Sequence, residues 1–343
     1  MSFSFIDALY GRPHDGVPVW FMRQAGRYLP GYQSVRAKTD FLTLCKTPDL
    51  AAEVTVEPLD TFGVDAVIIF SDILVPLEAM GIPVVFTDRG PCMEKPVRSA
   101  ADIDALRDMD PVRETGFVMD VIRAVKERVA GRVPVIGFAG APWTLACYAL
   151  EGSPSRTFAS AFRMLYGEPR SMHRLLDKIA KTTAAYLAAQ VEAGVDAIQL
   201  FDTWGGQLTL AHDQLAPVSL EYCSRVLREL DGCGVPRILF VKGAGHRIED
   251  VARCGAEALG VDQTQSIANI RQRVGSGVAL QGNLAPEALL SDTSTLIERA
   301  DGILESMRGD SAYVFNLGHG ILPPTPVDNV RALVEHVKAF GRA

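Results

Sequence analysis

Arg23 and Arg27 stand four residues apart around Gln24-Ala25-Gly26, directly after the apolar run Val17-Pro18-Val19-Trp20-Phe21-Met22. Two guanidinium forks at one strand end suit carboxylates or phosphates, and Ala25-Gly26 lets a ligand approach the backbone closely. Asp72 follows Ile68-Ile69-Phe70-Ser71; the position suits a helix N-cap and a catalytic carboxylate equally. Tyr148 lies one turn into the segment after Ala139-Gly140-Ala141-Pro142, and it reads as a hydrogen-bonding phenol or as a core aromatic. Asp202 and Thr203 end another apolar run; Asp202 reads first as a cap, and Thr203 also resembles cap chemistry. His319 lies between two glycines, where no packing reason calls for an imidazole. Lys242 and His246 are weak candidates individually, and Gly243-Ala244-Gly245 is no dinucleotide fingerprint because Ile248 stands where a third glycine is required. There is no His-Glu-x-x-His, no close cysteine pair, no Gly-x-Ser-x-Gly elbow and no Walker loop. What remains is acid/base or electrostatic chemistry on an anionic substrate, without metal or cofactor.

These residues need a frame. Apolar runs at 17–22, 66–70, 133–138, 197–201, 237–241, 258–261, 278–281 and 313–316 read as eight strands, most of them continuously apolar, as in a parallel sheet buried on both faces. Helical periodicity fills the intervals, for example Leu175-Leu176 with Ile179-Ala180, before Gly194 stops that helix. Strands alternating with helices predict an α/β fold, a single (β/α)8 barrel over 1–343, with its chemistry just past the strand C-termini. The polar stretch around 88–115 reads as a surface excursion within that one domain. The composition, 48% hydrophobic and 22% charged in 343 residues, is that of a folded globular protein. A net charge of −7 argues against nucleic-acid binding, yet a few arginines in one cleft can still attract an anion. No stretch is long enough for a membrane span and no secretory signal is visible; six scattered cysteines read as reduced thiols, so a cytoplasmic protein is expected.

The segment from Pro18 through Arg27 resembles the N-terminal signature of the uroporphyrinogen decarboxylase family. Gly137 to Gly152 resembles the family's second signature, and Phe70-Ser71-Asp72, Phe201-Asp202-Thr203-Trp204-Gly205-Gly206 and Asn316-Leu317-Gly318-His319-Gly320 match further motifs in order, so the likeness runs from about residue 5 to 335. The resemblance implies a cytoplasmic homodimer, without cofactor or metal, that removes carbon dioxide from the four acetates of uroporphyrinogen III to give coproporphyrinogen III. Carried over by position, it implies substrate contacts at Arg23, Gln24, Ala25, Gly26, Arg27, Phe41, Asp72, Tyr148, Thr203 and His319. Asp72, Arg23 and Tyr148 are the catalytic candidates.

That chemistry suits the residues. A pyrrole protonated at carbon is an electron sink for decarboxylation, and an ionised Asp72 facing the macrocycle centre would stabilise the resulting cation. Arginine is a poor general acid; a water held by arginine, Tyr148 and His319 are the remaining proton donors. Two other readings compete. A zinc-dependent thiol methyltransferase on a related barrel would need His and Cys together at strand ends, and a tetrapyrrole-binding protein would need the arginines but no Asp72.

Overall fold

The computed structural model describes residues 3–87, 90–108, 110–208 and 213–340. Its strands are β1 (Val67–Ile68), β2 (Val84–Thr87), β3 (Gly90–Met93), β4 (Val135–Gly140), β5 (Ala197–Asp202), β6 (Arg237–Val241), β7 (Ala258–Gly260), β8 (Ala279–Leu284) and β9 (Tyr313–Leu317). β1 and β4 to β9 form one seven-stranded sheet in the order β1-β4-β5-β6-β7-β8-β9, parallel throughout. The expected first strand is reduced to a single parallel bridge between Val19 and Phe315. Pro18 has no N–H to add to a ladder, and the N–H of Val19 goes to the carboxylate of Asp65 at 2.9 Å. The carbonyl of Val19 accepts from the N–H of Asp65 at 2.8 Å, and that of Pro18 from Phe315 at 2.8 Å. This short stave therefore joins β9 to the β1 edge and completes the (β/α)8 barrel.

The register decides which side chains enter the barrel. Gln199 pairs with Ile238, Gly260 with Gln281, and Asn283 with Asn316. Trp20 Nε1 donates to Gln281 Oε1 at 2.8 Å, and Gln281 Nε2 donates to Gln199 Oε1 at 3.2 Å, a polar chain across the interior. Nearer the strand C-termini the same face carries Phe138, Phe201 and Phe240, with ring centroids 5.8 and 6.1 Å apart in succession. Gly260 leaves room for them, since a Cβ there would sit 2.8 Å from the Phe240 ring. The polar excursion contains an antiparallel hairpin, β2 with β3, and a helix Ala100–Ala105 capped by Ser99 and Asp102. Parts of that stretch (88, 89 and 109) lie outside the described residues. No helix is long and apolar enough to cross a membrane, among the described residues.

Candidate active site

Past the first stave the chain turns sharply at Arg23, whose φ of 61° is rare for a residue with a Cβ. Its neighbours hold the turn. Gln24 is buried; its Oε1 accepts from Phe21 N at 2.9 Å and its Nε2 donates to the Ala66 carbonyl at 3.0 Å. The carboxamide is thus committed to the fold, leaving the loop backbone through Ala25 and Gly26 to meet a ligand. Gly26 admits no side chain, because a Cβ would lie 2.8 Å from the Arg23 carbonyl. The Arg23 side chain runs across Gly320, where a Cβ would come within 2.4 Å of its Cδ. A loop after the first strand is thereby laid against the His319 turn after the last.

Asp72 leaves β1 two residues beyond Phe70, whose N–H donates to Thr55 Oγ1 at 2.9 Å. Its Oδ1 accepts from Leu74 N at 2.8 Å, in a turn just ahead of the helix Val75–Ala79, so a turn role and an electrostatic role coexist. Burial raises its carboxyl to about 6, against the opposing pull of the Leu74 N–H and of the Arg23 charge. Tyr148 lies close enough to feel the same charges. Burial, then the negative charge of Asp72, push its phenol up to about 12, while Arg23 opposes. The Tyr148 ring lies 4.1 Å from that of Trp204, which is fixed in turn by a Trp204 N–H to Thr144 Oγ1 bond of 3.1 Å.

His319 completes the cluster. Its Nδ1 accepts the Gly320 N–H at 2.7 Å, which in the neutral ring puts the proton on Nε2. Burial, then Lys242 and Arg23, lower its pKa to about 4, with Asp262 opposing. Its ring meets Phe240 edge-on at 6.2 Å. Arg23, Asp72, Tyr148 and His319 therefore gather around an aromatic floor at the strand C-termini. Phe41 joins its side through Phe70 at 5.8 Å and Phe86 at 4.4 Å. Arg27 is exposed and its charge reaches Tyr32, whose ring lies 5.7 Å from Phe70. Thr203 is half-buried beside Trp204.

Asp202 faces the other way. It is fully buried and accepts from Thr144 Oγ1 at 2.6 Å and Ser219 Oγ at 2.5 Å, so it belongs to the support of the β5 exit. Arg36 is an additional cation that sequence reasoning did not single out. It is half-buried on the helix Pro30–Arg36, bonds the Thr39 carbonyl and acts on Tyr32 and Cys45. Its position in an unremarkable polar helix carried no signal. A groove of about 430 Å³ lined by Glu53, Glu57, Asp60, Arg128 and Arg132 lies away from this cluster, its charges engaged in pairs such as Arg132–Asp60 at 2.7 Å. No group of three His, Cys, Asp or Glu side chains suited to a metal is found among the described residues.

The arrangement can bind a polyanion by its arginines, seat a flat apolar body on its aromatic floor, and offer one carboxylate to N–H donors or a cation. Comparison with known proteins identifies the family. The family model described as uroporphyrinogen decarboxylase (URO-D) matches residues 3–340. A uroporphyrinogen decarboxylase of Syntrophotalea carbinolica is 48% identical over 98% of this chain and 97% of its own length. One from Pelobacter propionicus is 46% identical over 100% of both chains. Among solved structures, a methyltransferase from Methanosarcina mazei superposes with a TM-score of 0.82 over 99% of both chains at 22% identity, a likeness of fold alone.

Proposed function

The chain belongs to the uroporphyrinogen decarboxylase family and is a carboxy-lyase acting on uroporphyrinogen; from that premise we propose that it removes all four acetate carboxyl groups of uroporphyrinogen III. Each acetate becomes a methyl and the product is coproporphyrinogen III. The observation that carries this reading is the half-buried carboxylate of Asp72 beside Arg23, at the rim of an aromatic floor.

The chemistry follows from the substrate. Protonating a pyrrole carbon next to the one bearing the acetate creates a ring cation. The electron pair of the breaking C–CO2 bond neutralises that cation and leaves an exocyclic double bond. A proton added to the terminal carbon makes the methyl, and loss of the first proton restores the pyrrole. The ring is its own electron sink, so the reading calls on no cofactor. Ionised Asp72 accepts the pyrrole N–H groups and stabilises the cation as it forms, in a site where burial strengthens the interaction. Arg23 and Arg27 match peripheral carboxylates. An arginine gripping the reacting carboxylate would oppose the step, because that charge leaves with the product. Tyr148 and neutral His319 orient the macrocycle as uncharged hydrogen-bonding groups, and Thr203 adds a hydroxyl.

We extend the proposal to one barrel domain over 1–343, acting as a cytoplasmic homodimer. The test of function is anaerobic incubation with uroporphyrinogen III, counting carbon dioxide and the carboxyl groups left on the product. Four carbon dioxides per macrocycle, with or without chelator, are expected. Tight binding with no carbon dioxide would make the chain a tetrapyrrole-binding protein instead.

A further inference from the structure

The recognised cations, Arg23 and Arg27, come from one loop, and Arg36 follows on the adjacent helix. A macrocycle ringed with carboxylates would meet positive charge from that side only, unless another element supplies it. Lys242 stands just past β6, and its N–H continues the ladder to the Asp202 carbonyl at 3.1 Å. Strand alternation therefore places its side chain on the same face as Phe240, whose ring meets His319. On the other side its backbone is packed shut: a Cβ on Gly206 would lie 2.4 Å from the Lys242 carbonyl.

The neighbouring acid does not neutralise it. Asp262 is buried, and its carboxylate accepts from the Gly243 N–H, from the Thr264 hydroxyl and from Thr264 N at 2.9 Å. Lys46, Lys126, Lys181 and Lys338 have acidic partners within 2.9 Å; of the other four, Lys38 and Lys95 are exposed to water, Lys178 donates to the Leu106 carbonyl at 2.8 Å, and Lys242 is half-buried with no acid within salt-bridge distance among the described residues. Its charge acts instead on His319. A half-buried ammonium without an acid partner, on the inward face of a site for a polyanion, lacks a counterion that a ligand would supply.

The geometry points to Lys242 as a substrate-binding residue that holds a propionate carboxylate, across the aromatic floor from the arginine loop. This rests on the proposed substrate. A propionate is the group that fits, because propionates survive all four turns, whereas an acetate partner would be lost in the reaction. Lys242 would then bind substrate and product alike.

The test compares Lys242→Met with wild type for the KM of uroporphyrinogen III and for inhibition by coproporphyrinogen III, which keeps only the propionates. Both constants should weaken by about tenfold, the scale of one charge-assisted bond, with kcat within about twofold. Lys242→Arg should recover most of the loss, and Lys181→Met, on an exposed outer helix, should change neither constant. On unmodified enzyme, coproporphyrinogen should protect Lys242 but not Lys181 from acetylation read by mass spectrometry, a measurement independent of any variant's folding. Unchanged constants, weakening for uroporphyrinogen alone, a fall in kcat with KM intact, or absent protection would each overturn the assignment. Wild-type enzyme that releases no carbon dioxide would instead remove the substrate reading beneath it.

Discussion

In the proposed reaction Asp72 is the residue on which the chemistry turns, and its environment predicts two opposite pH dependences. Burial raises its carboxyl from 3.8 to about 6, so the folded protein binds this proton more tightly than the unfolded chain. Its contribution to stability is therefore present in acid and is lost as pH rises through about 6. Asp72→Asn keeps an acceptor for the Leu74 N–H and should melt above wild type at pH 7.5, the gap closing towards pH 4; thermal melts across that range check it. Activity should move the other way, because the proposed ring cation needs the ionised form. The kcat/KM of wild type should fall below about pH 6, and the residual activity of Asp72→Asn should lack that limb. His319, held at about 4 by burial and by Lys242 and Arg23, is still neutral near pH 6 and does not produce the limb there.

Elements convert these residues into a site, and here the sequence was legible unevenly. Seven of the eight expected strands form as read, since buried parallel strands announce themselves as short apolar runs between helices. The first was overextended: Val17 to Met22 has the right composition, but Pro18 and the Asp65 carboxylate take the places of ladder partners. Asp72, Tyr148 and His319 were visible because each lies just past an apolar run, and the partners of Asp72 and His319 are only the backbone N–H groups of Leu74 and Gly320 in their own turns. Gln24 and Asp202 were harder to read, because the groups that occupy them, Ala66 and Ser219, are distant in sequence and adjacent only once the barrel closes. Lys242 read only as a weak candidate for the converse reason, since a lack of partners is a fact of three dimensions. The glycine turn after β9 shows how an element sets a residue. Gly320→Ala would drive a Cβ into Arg23 Cδ and Cγ, at 2.4 and 2.7 Å, without demanding an unusual backbone at 320. We expect kcat/KM to fall by about 10²-fold while the melting temperature stays near wild type, read from steady-state kinetics beside calorimetry.

At the scale of the whole molecule, the first stave is held by a few backbone bonds and reinforced by a side chain. Asp65 accepts the Val19 N–H and pairs with Lys338 of the helix Val327–Phe340 at 2.9 Å, so the last helix is tied to the first stave. Asp65→Ala leaves that buried N–H unsatisfied and should cost about 1–3 kcal/mol, seen as a lower denaturant midpoint with an unchanged slope. Among the described residues the cluster holds Asp72 as its carboxylate, so the proposed reaction has four acetates presented in turn to the same Asp72. Single-turnover release of labelled carbon dioxide from all four acetates therefore tests the account most directly, comparing wild type with Asp72→Asn. The expected result is a slowing of about 10²–10³-fold at every one of the four steps, with coproporphyrinogen binding within a few-fold of wild type. A folded Asp72→Asn enzyme that decarboxylates at nearly the wild-type rate, or is slowed at only one step, would contradict it.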